Sequence, residues 1–210
     1  MRNLNGIWLP DHETHLEHYA ALGPYGKWTY QAHKMLAALE YSKGLACAID
    51  VGGHCGLWSK ELVKIFDHVI AFEPVAEHRE CYRLNVVGNY TLHECALGEK
   101  VGTCKIHTSH GSSGDSWVDG EGDIPLKTLD SFDIEHVDFM KLDCEGYELF
   151  ALKGGESLIN RCRPTIIVEQ KPRRGKKFGL KDTAAVDYLQ SLGAKLRKEI
   201  SGDYILSWDK

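Results

Sequence analysis

Residues 48–56 read AIDVGGHCG: an apolar run, an acid, and then three glycines within five positions. Glycine costs backbone entropy and contributes no packing, so a strand that ends in several of them ends that way for a reason. Either the turn is tight, or something approaches its backbone closely. The stretch also commits the chain to a local order of buried strand, loop and helix.

That order repeats. Leu45–Val51 reads as a buried strand and Leu57–Phe66 as a helix. His68–Phe72 (HVIAF) is a second strand, stopped by Glu73-Pro74. Glu77–Val87 is helical and Tyr90–Glu94 is a third strand. This alternation predicts a parallel sheet with right-handed crossovers. Upstream, WTYQAHKMLAALEY at 28–41 spaces apolar residues at helical intervals. Between Gly98 and Leu126 the rhythm changes: TCKIHTS and SWVDG, around the loop HGSSGD, predict a β-hairpin insertion near 99–122. Val137–Leu142 is a fourth core strand, followed by a helix from about Gly146, and Pro164–Val168 is a fifth. After a helix at Asp182–Leu192 come two strands near Leu196–Ile200 and Tyr204–Trp208, joined by Ser201-Gly202-Asp203 as an antiparallel hairpin. The expected fold is α/β, a seven-stranded, mostly parallel sheet ending in that hairpin. Residues 1–45 are expected to form a helical or lid segment, and 46–210 the main domain.

The chain of 210 residues suits one full-sized core. Its net charge of −5 argues against a general polyanion binder. No apolar stretch reaches the roughly 20 residues needed to span a bilayer, and MRNLNGIWLPDHETH lacks the apolar region of a signal peptide. The expectation is a cytoplasmic protein with no membrane span. The seven cysteines are scattered, odd in number and without a CxxC pair, which fits reduced thiols better than a disulfide or zinc framework.

In an open parallel sheet, ligands bind beyond the carboxyl ends of the strands. The loop from Asp50 through Gly52, Gly53, His54 and Gly56 lies at such an end. Its spacing is not GxGxxG, because aligning the first glycine with Gly52 puts His54 and Leu57 at the other two positions, and it lacks the GK[ST] of a P-loop. Read alone, the pattern leaves a ligand loop and a structural turn both open. Glu73, 23 residues after Asp50, ends the second strand, where a carboxylate can accept from both hydroxyls of a ribose. Pro74 stops the ladder and fixes where Glu73 points; a solvated strand-end acid is the plainer alternative. A nucleoside without a pyrophosphate fits this pair. The third element, Lys141-Leu142-Asp143-Cys144-Glu145-Gly146-Tyr147-Glu148, follows the fourth core strand. Two carboxylates and a lysine there are costly unless they pair or do chemistry, although Glu145 and Glu148 also suit a helix start.

DVGGHCGLWS, VIAFEP, the ALG at 96–98, IPLKTLDSF, MKLDCEGYELFALKGG and PTIIVEQ together resemble the FkbM family of S-adenosylmethionine-dependent methyltransferases, in that family's order, from about Ala48 to Gln170. The family pattern carries Ala or Gly and then Asn where this chain has Gly53-His54, and KIDVEGFE where it has KLDCEGYE. The resemblance implies a Rossmann-like class I methyltransferase fold that binds S-adenosylmethionine. It places Gly52, Gly53, His54 and Gly56 around the methionine end of the cofactor, with Asp50 orienting the loop. Glu73 and Pro74 would stand at the ribose, and Ala96 and Leu97 at the adenine.

FkbM-like enzymes mostly resemble O-methyltransferases, so a hydroxyl on a sugar or other small molecule is the first choice of acceptor. A hydroxyl must lose its proton, and the candidates to take it are Asp143 and Glu145, then Glu169 after the fifth strand; Lys141 would orient the acceptor or hold the carboxylates. Asp143 is also a candidate to meet the cofactor's amino group. Asp143, Glu145 and Glu169 could offer oxygen ligands to a metal, but no spacing requires one. His12, His15 and His18, at three-residue steps, read as a surface or lid helix rather than a zinc site. The run Lys171, Arg173, Arg174, Lys176, Lys177 keeps open a nucleic-acid or phosphorylated acceptor, although Asp143-Cys144-Glu145-Gly146 lacks the prolines of enzymes that methylate base amines. A nucleotide-binding protein of the NAD type is the remaining alternative. Oligomeric state is not legible, and a homodimer stays open.

Overall fold

A computed structural model of the chain describes residues 1–17, 30–109 and 111–209. It opens with a hairpin, β1 (Arg2–Leu4) and β2 (Ile7–Leu9), closed by Asn5-Gly6 at φ 52° and 87°. Asn-Gly supplies the two left-handed residues that a type I′ turn requires. The helical character expected over 1–45 is thus corrected at its start. Helix α1 (Ala32–Leu39) lies later in the segment; Trp28, expected to begin it, lies outside the described residues, as does His18.

The central sheet begins with β3 (Cys47–Val51), β4 (His68–Phe72) and β5 (Tyr90–His93), with the short helix α2 (Ser59–Leu62) and helix α3 (Ala76–Asn85) between them. Of the expected helix 57–66, the flanks run as turns. A side excursion follows: β6 (Ala96–Leu97), β7 (Gly102–Cys104), β8 (Ile106–Ser109), β9 (Ser112–Val118) and β10 (Ile124–Lys127). Strands β6, β10 and β7 form a small sheet, and β8 pairs with β9 as the expected hairpin. TCKIHTS breaks into β7 and β8, and most of HGSSGD, expected as loop, is strand β9.

The chain then returns to the sheet with β11 (Phe139–Leu142), helices α4 (Glu148–Lys153) and α5 (Glu156–Cys162), β12 (Thr165–Glu169), helix α6 (Ala184–Ser191), β13 (Lys195–Ile200) and β14 (Asp203–Ser207). The sheet order is β13-β14-β12-β11-β3-β4-β5, parallel except for β14, which runs against both its neighbours. The topology therefore switches between β3 and β11, where the chain leaves one half of the sheet for the other.

Strands β3, β11 and β12 are buried along their whole lengths, as continuous apolar strands of a doubly covered sheet are. Alternation decides which layer each residue meets. Ile49, Val51, Met140, Leu142, Ile166 and Val168 pack with Ala151, Leu152, Leu158 and Leu189 on one face. Ala48, Phe139 and Ile167 pack with Met35, Ala38, Trp58 and Leu62 on the other. Among the described residues no helix is long and apolar enough to cross a membrane.

Candidate active site

A cavity of about 340 Å³ opens where the carboxyl ends of β3, β4 and β11 meet, a size that suits a small-molecule ligand. Gly52, Gly53, His54, Glu73, Pro74, Ala96, Leu97, Lys141, Asp143 and Glu145 line it. Asp50 and Gly56 stand behind the loop, and Glu169, 3% exposed, gives the cavity no surface.

The glycine loop owes its composition to the protein around it. Gly52 has φ 77°, and a Cβ there would sit 2.0 Å from the backbone oxygen of Asp143. At Gly56, with φ 81°, a Cβ would meet Val86 and Tyr82 at 2.5 and 3.0 Å. A Cβ on Gly53 would only press on Tyr82 at 3.3 Å. The glycines are thus demanded by close packing of two strand ends and a helix, not by ligand approach alone. The N–H groups are also spoken for: Gly52 and Gly53 donate to Phe72 O at 3.0 and 3.1 Å, His54 to Glu73 Oε2 at 2.8 Å, and Gly56 to Gly53 O at 2.8 Å. These four donors leave no nest for a pyrophosphate.

Glu73 is 4% exposed and held from three sides. Its Oε2 accepts from His54 N, while Oε1 accepts from Val75 N at 2.9 Å and faces His78 Nδ1 at 3.2 Å. Burial alone would raise its pKa, but His78 and the two backbone donors hold it below the ordinary value. A carboxylate has about four lone-pair sites, so one remains, on Oε2. Beside it, Phe72, Cys95, Ala96 and Leu97 make an apolar wall.

Asp50 is fully buried; Ser59 Oγ donates to its Oδ2 at 2.7 Å, and Lys141 Nζ lies 3.3 Å from Oδ1. Burial pushes the Asp50 carboxyl up, against the pull of Lys141 and Ser59. Lys141 donates to Gly52 O at 3.0 Å and stands 3.8 Å from Asp143. Burial works against its charge, but Asp50 and Asp143 outweigh it and raise its pKa, so the ammonium clamps loop and strand end together. Asp143 is the more open carboxylate, its side chain 24% exposed. Glu145, at φ 54°, is drawn back to Arg174, with Oε2 2.9 Å from Nε, and Arg174 also pairs with Asp115. Burial and Asp143 push the Glu145 carboxyl up to about 8, against Arg174 and Lys171. Glu148 caps its turn, accepting from the backbone of Cys144 and Gly146 at 2.9 Å each and from Gln170.

Oxygens of Asp143, Glu145 and Glu169 lie within 4.8 Å of one another, a donor set suited to a hard divalent cation. All three already face cations: Lys171 Nζ is 2.7 Å from Glu169, Arg174 Nε 2.9 Å from Glu145 and Lys141 Nζ 3.8 Å from Asp143. His12 and His15 join no such cluster among the described residues; His12 lies 3.7 Å from Glu77, and His15 lines the cavity. The basic run is likewise largely committed: Lys171 and Arg174 pair with acids, and Lys177 lies 4.0 Å over the ring of Trp117.

Lys171, Arg174, Asp115, Ser113 and Trp117 line the cavity but escaped assignment as site residues from sequence. The signals were the basic run and the segment 105–122, expected with 1–30 and 171–181 to shape the acceptor pocket; the acidic partners of Arg174, Asp115 and Glu145, are distant in the chain.

Residues 50–196 match the family model described as the methyltransferase FkbM domain. No curated protein matches the chain. Among solved structures it is similar to methyltransferase FkbM from Methylobacillus flagellatus KT (18% identity, TM-score 0.50), with 77% of this chain covered and 42% of that one. It is also similar to precorrin 8W decarboxylase from Methanobacterium thermoautotrophicum (18% identity, TM-score 0.52, covering 88% and 91%). A third is a putative O-methyltransferase from Klebsiella pneumoniae (15% identity, TM-score 0.50, covering 91% and 84%). At these identities the likenesses speak for the fold, the Rossmann-like class I arrangement. The chain spans less than half the length of the M. flagellatus protein.

Proposed function

This chain belongs to the FkbM methyltransferase family, and from that premise we propose that it moves a methyl group from S-adenosylmethionine to a hydroxyl of a sugar or other small-molecule acceptor. The observation that carries the cofactor reading is Glu73: a buried carboxylate, held in its charged form, with one acceptor site open beside a glycine loop whose N–H groups are already used. That combination fits a ribose hydroxyl and disfavours the pyrophosphate of a dinucleotide. Ala96, Leu97 and Phe72 give the flat apolar surface that an adenine needs.

S-adenosylmethionine supplies an activated methyl group; alignment and proton removal fall to the protein. Lys141 fixes Gly52 and Asp143 relative to each other, which sets the geometry of the crevice floor. Of the carboxylates that line the cavity, Asp143 and Glu145 follow β11 at the crevice floor, and either takes the proton of the acceptor hydroxyl. Glu145 is the better matched of the two, because a base works best with a pKa near the working pH and its own is pushed up to about 8. Glu169, sealed against Lys171, moves to a supporting place. Lys171 and Arg174 supply the positive charge a metal would otherwise bring to these acids. A nucleic-acid acceptor loses its main support, because Lys171, Arg174 and Lys177 already have partners within the protein.

The test is calorimetry with S-adenosylhomocysteine and with NAD, followed by transfer of labelled methyl groups to sugar, lipid and nucleic-acid fractions. Binding of S-adenosylhomocysteine alone and labelling of the sugar fraction support the reading; tight NAD binding without S-adenosylhomocysteine binding overturns it.

A further inference from the structure

Three segments far apart in the chain meet over the glycine loop. Glu13, from the N-terminal segment, and Ser113, from β9, are both fully buried. Glu13 Oε1 accepts from Leu16 N at 2.8 Å, while Oε2 accepts from Ser113 N at 2.6 Å and from Ser113 Oγ at 2.5 Å. The same Ser113 Oγ lies 2.7 Å from His54 Nε2. Around this contact the N-terminal segment is sewn to the hairpin, with Thr14 N and His15 N donating to Gly111 O at 3.1 and 3.2 Å. Asn85 ties β2 to the loop, donating to Trp8 O and Cys55 O at 2.8 Å each.

Counting protons settles the direction of the chain. A carboxylate only accepts, and a serine hydroxyl has one hydrogen. With that hydrogen on Glu13, Ser113 Oγ can only accept from the imidazole. His54 must therefore carry its proton on Nε2. Burial, and the nearby His78, keep the ring neutral by holding its pKa well below the ordinary value, so Nδ1 is left with a lone pair. At its other end, His54 donates its backbone N–H to Glu73. This histidine stands where the family pattern has Asn, and Glu13 precedes the residues that match the family model.

We propose that Glu13 is a positioning residue which, through Ser113, fixes His54 as its Nε2–H tautomer, so that the glycine loop presents a hydrogen-bond acceptor rather than a donor to the ligand in the crevice. The ligand group it takes is an N–H or O–H donor, such as an ammonium or hydroxyl of the nucleoside, and a ligand carboxylate or phosphate is turned away. The identity of that nucleoside rests on the proposed function; the tautomer does not.

The test is ¹⁵N NMR of histidine-labelled protein, with the His54 signal identified by its absence from His54→Asn. Wild-type protein should show a neutral imidazole with its proton on Nε2, exchanging slowly with solvent. Glu13→Gln keeps the shape of the side chain but turns an amide toward two donors, and Ser113→Ala removes the bridge. In each variant the His54 proton should exchange at least tenfold faster, and S-adenosylhomocysteine should bind roughly tenfold more weakly by calorimetry; the Glu13 variant carries the argument, because Ser113 lines the cavity and Glu13 does not. An Nδ1–H tautomer in the wild type overturns the proposal, with no variant needed. So does an unchanged His54 signal and an affinity within twofold in Glu13→Gln. Wild-type protein that fails to bind S-adenosylhomocysteine would end the cofactor reading and leave the tautomer result standing.

Discussion

Lys141 and Asp50 are register partners on adjacent parallel strands, with the ammonium 3.3 Å from a carboxylate that is fully buried. The pair sits on the layer of the sheet that otherwise packs Ala48 and Phe139. Removing one partner of a buried pair leaves an uncompensated charge, which costs roughly 3–5 kcal/mol. Lys141→Met should lose about that much in urea unfolding. It should lose more than Asp143→Asn, because Asp143 is partly solvated. Equal losses would mean that Lys141 serves Asp143 and not the strand pair.

Glu73→Gln should weaken S-adenosylhomocysteine binding by about 1–3 kcal/mol, since it removes a charged acceptor. A solvated strand-end acid, the plainer reading of Glu73 in the sequence, would leave the fold indifferent to this change. The structure says otherwise: His54 N, Val75 N and His78 all converge on the carboxylate, and an amide can turn only one oxygen to them. Melting should show a loss of stability alongside the lost affinity.

The two neighbouring glycines should respond differently to alanine. Gly52→Ala combines a left-handed backbone with a collision against the Asp143 carbonyl and should cost on the order of 2 kcal/mol or more. Gly53→Ala meets only a ring edge of Tyr82, at 3.3 Å, and should stay within about 1 kcal/mol of wild type. Thermal unfolding of the two variants checks this directly.

Much of this was legible in the sequence, for a physical reason. Strands β3, β11 and β12 are covered on both faces, so their apolar runs stand out, and the acids that end them fall on one edge of the sheet. The hairpin at Asn5-Gly6 was not legible, because strands of three residues show no period. The first half of strand β9 was hidden by its polarity: Ser113 reads as loop until Glu13, a hundred residues away, is seen to bury it. The commitment of Arg174 was hidden because its partners Asp115 and Glu145 are also distant in the chain, whereas Lys171 pairs with Glu169 two residues away.

If Glu145 takes the acceptor proton, kcat/KM should rise with pH to a plateau above about 8, because the carboxylate form is the active one and burial pushes this carboxyl up to about 8. Glu145→Gln should lose that limb and roughly 10²–10⁴ in turnover, with cofactor affinity little changed. Loss of both turnover and the limb in Asp143→Asn, beside near-normal turnover in Glu145→Gln, would move the base to Asp143. Chelator should leave turnover unchanged; a loss restored by Mg²⁺ or Mn²⁺ would place a cation among Asp143, Glu145 and Glu169.

The join between Glu13 and Ser113 also determines how this protein can be recombined with its relatives. The hairpin β8–β9 borders the crevice and is the natural piece to transplant when a new acceptor is wanted. Moved by itself, it would leave behind a sealed carboxylate with two of its donors gone, in a chain whose first strands lean on helix α3 through Asn85. The exchangeable module is therefore discontinuous. Residues 1–17 and 106–118 have to travel together, and a chimera that splits them would fail at the seam even if both its parents are sound.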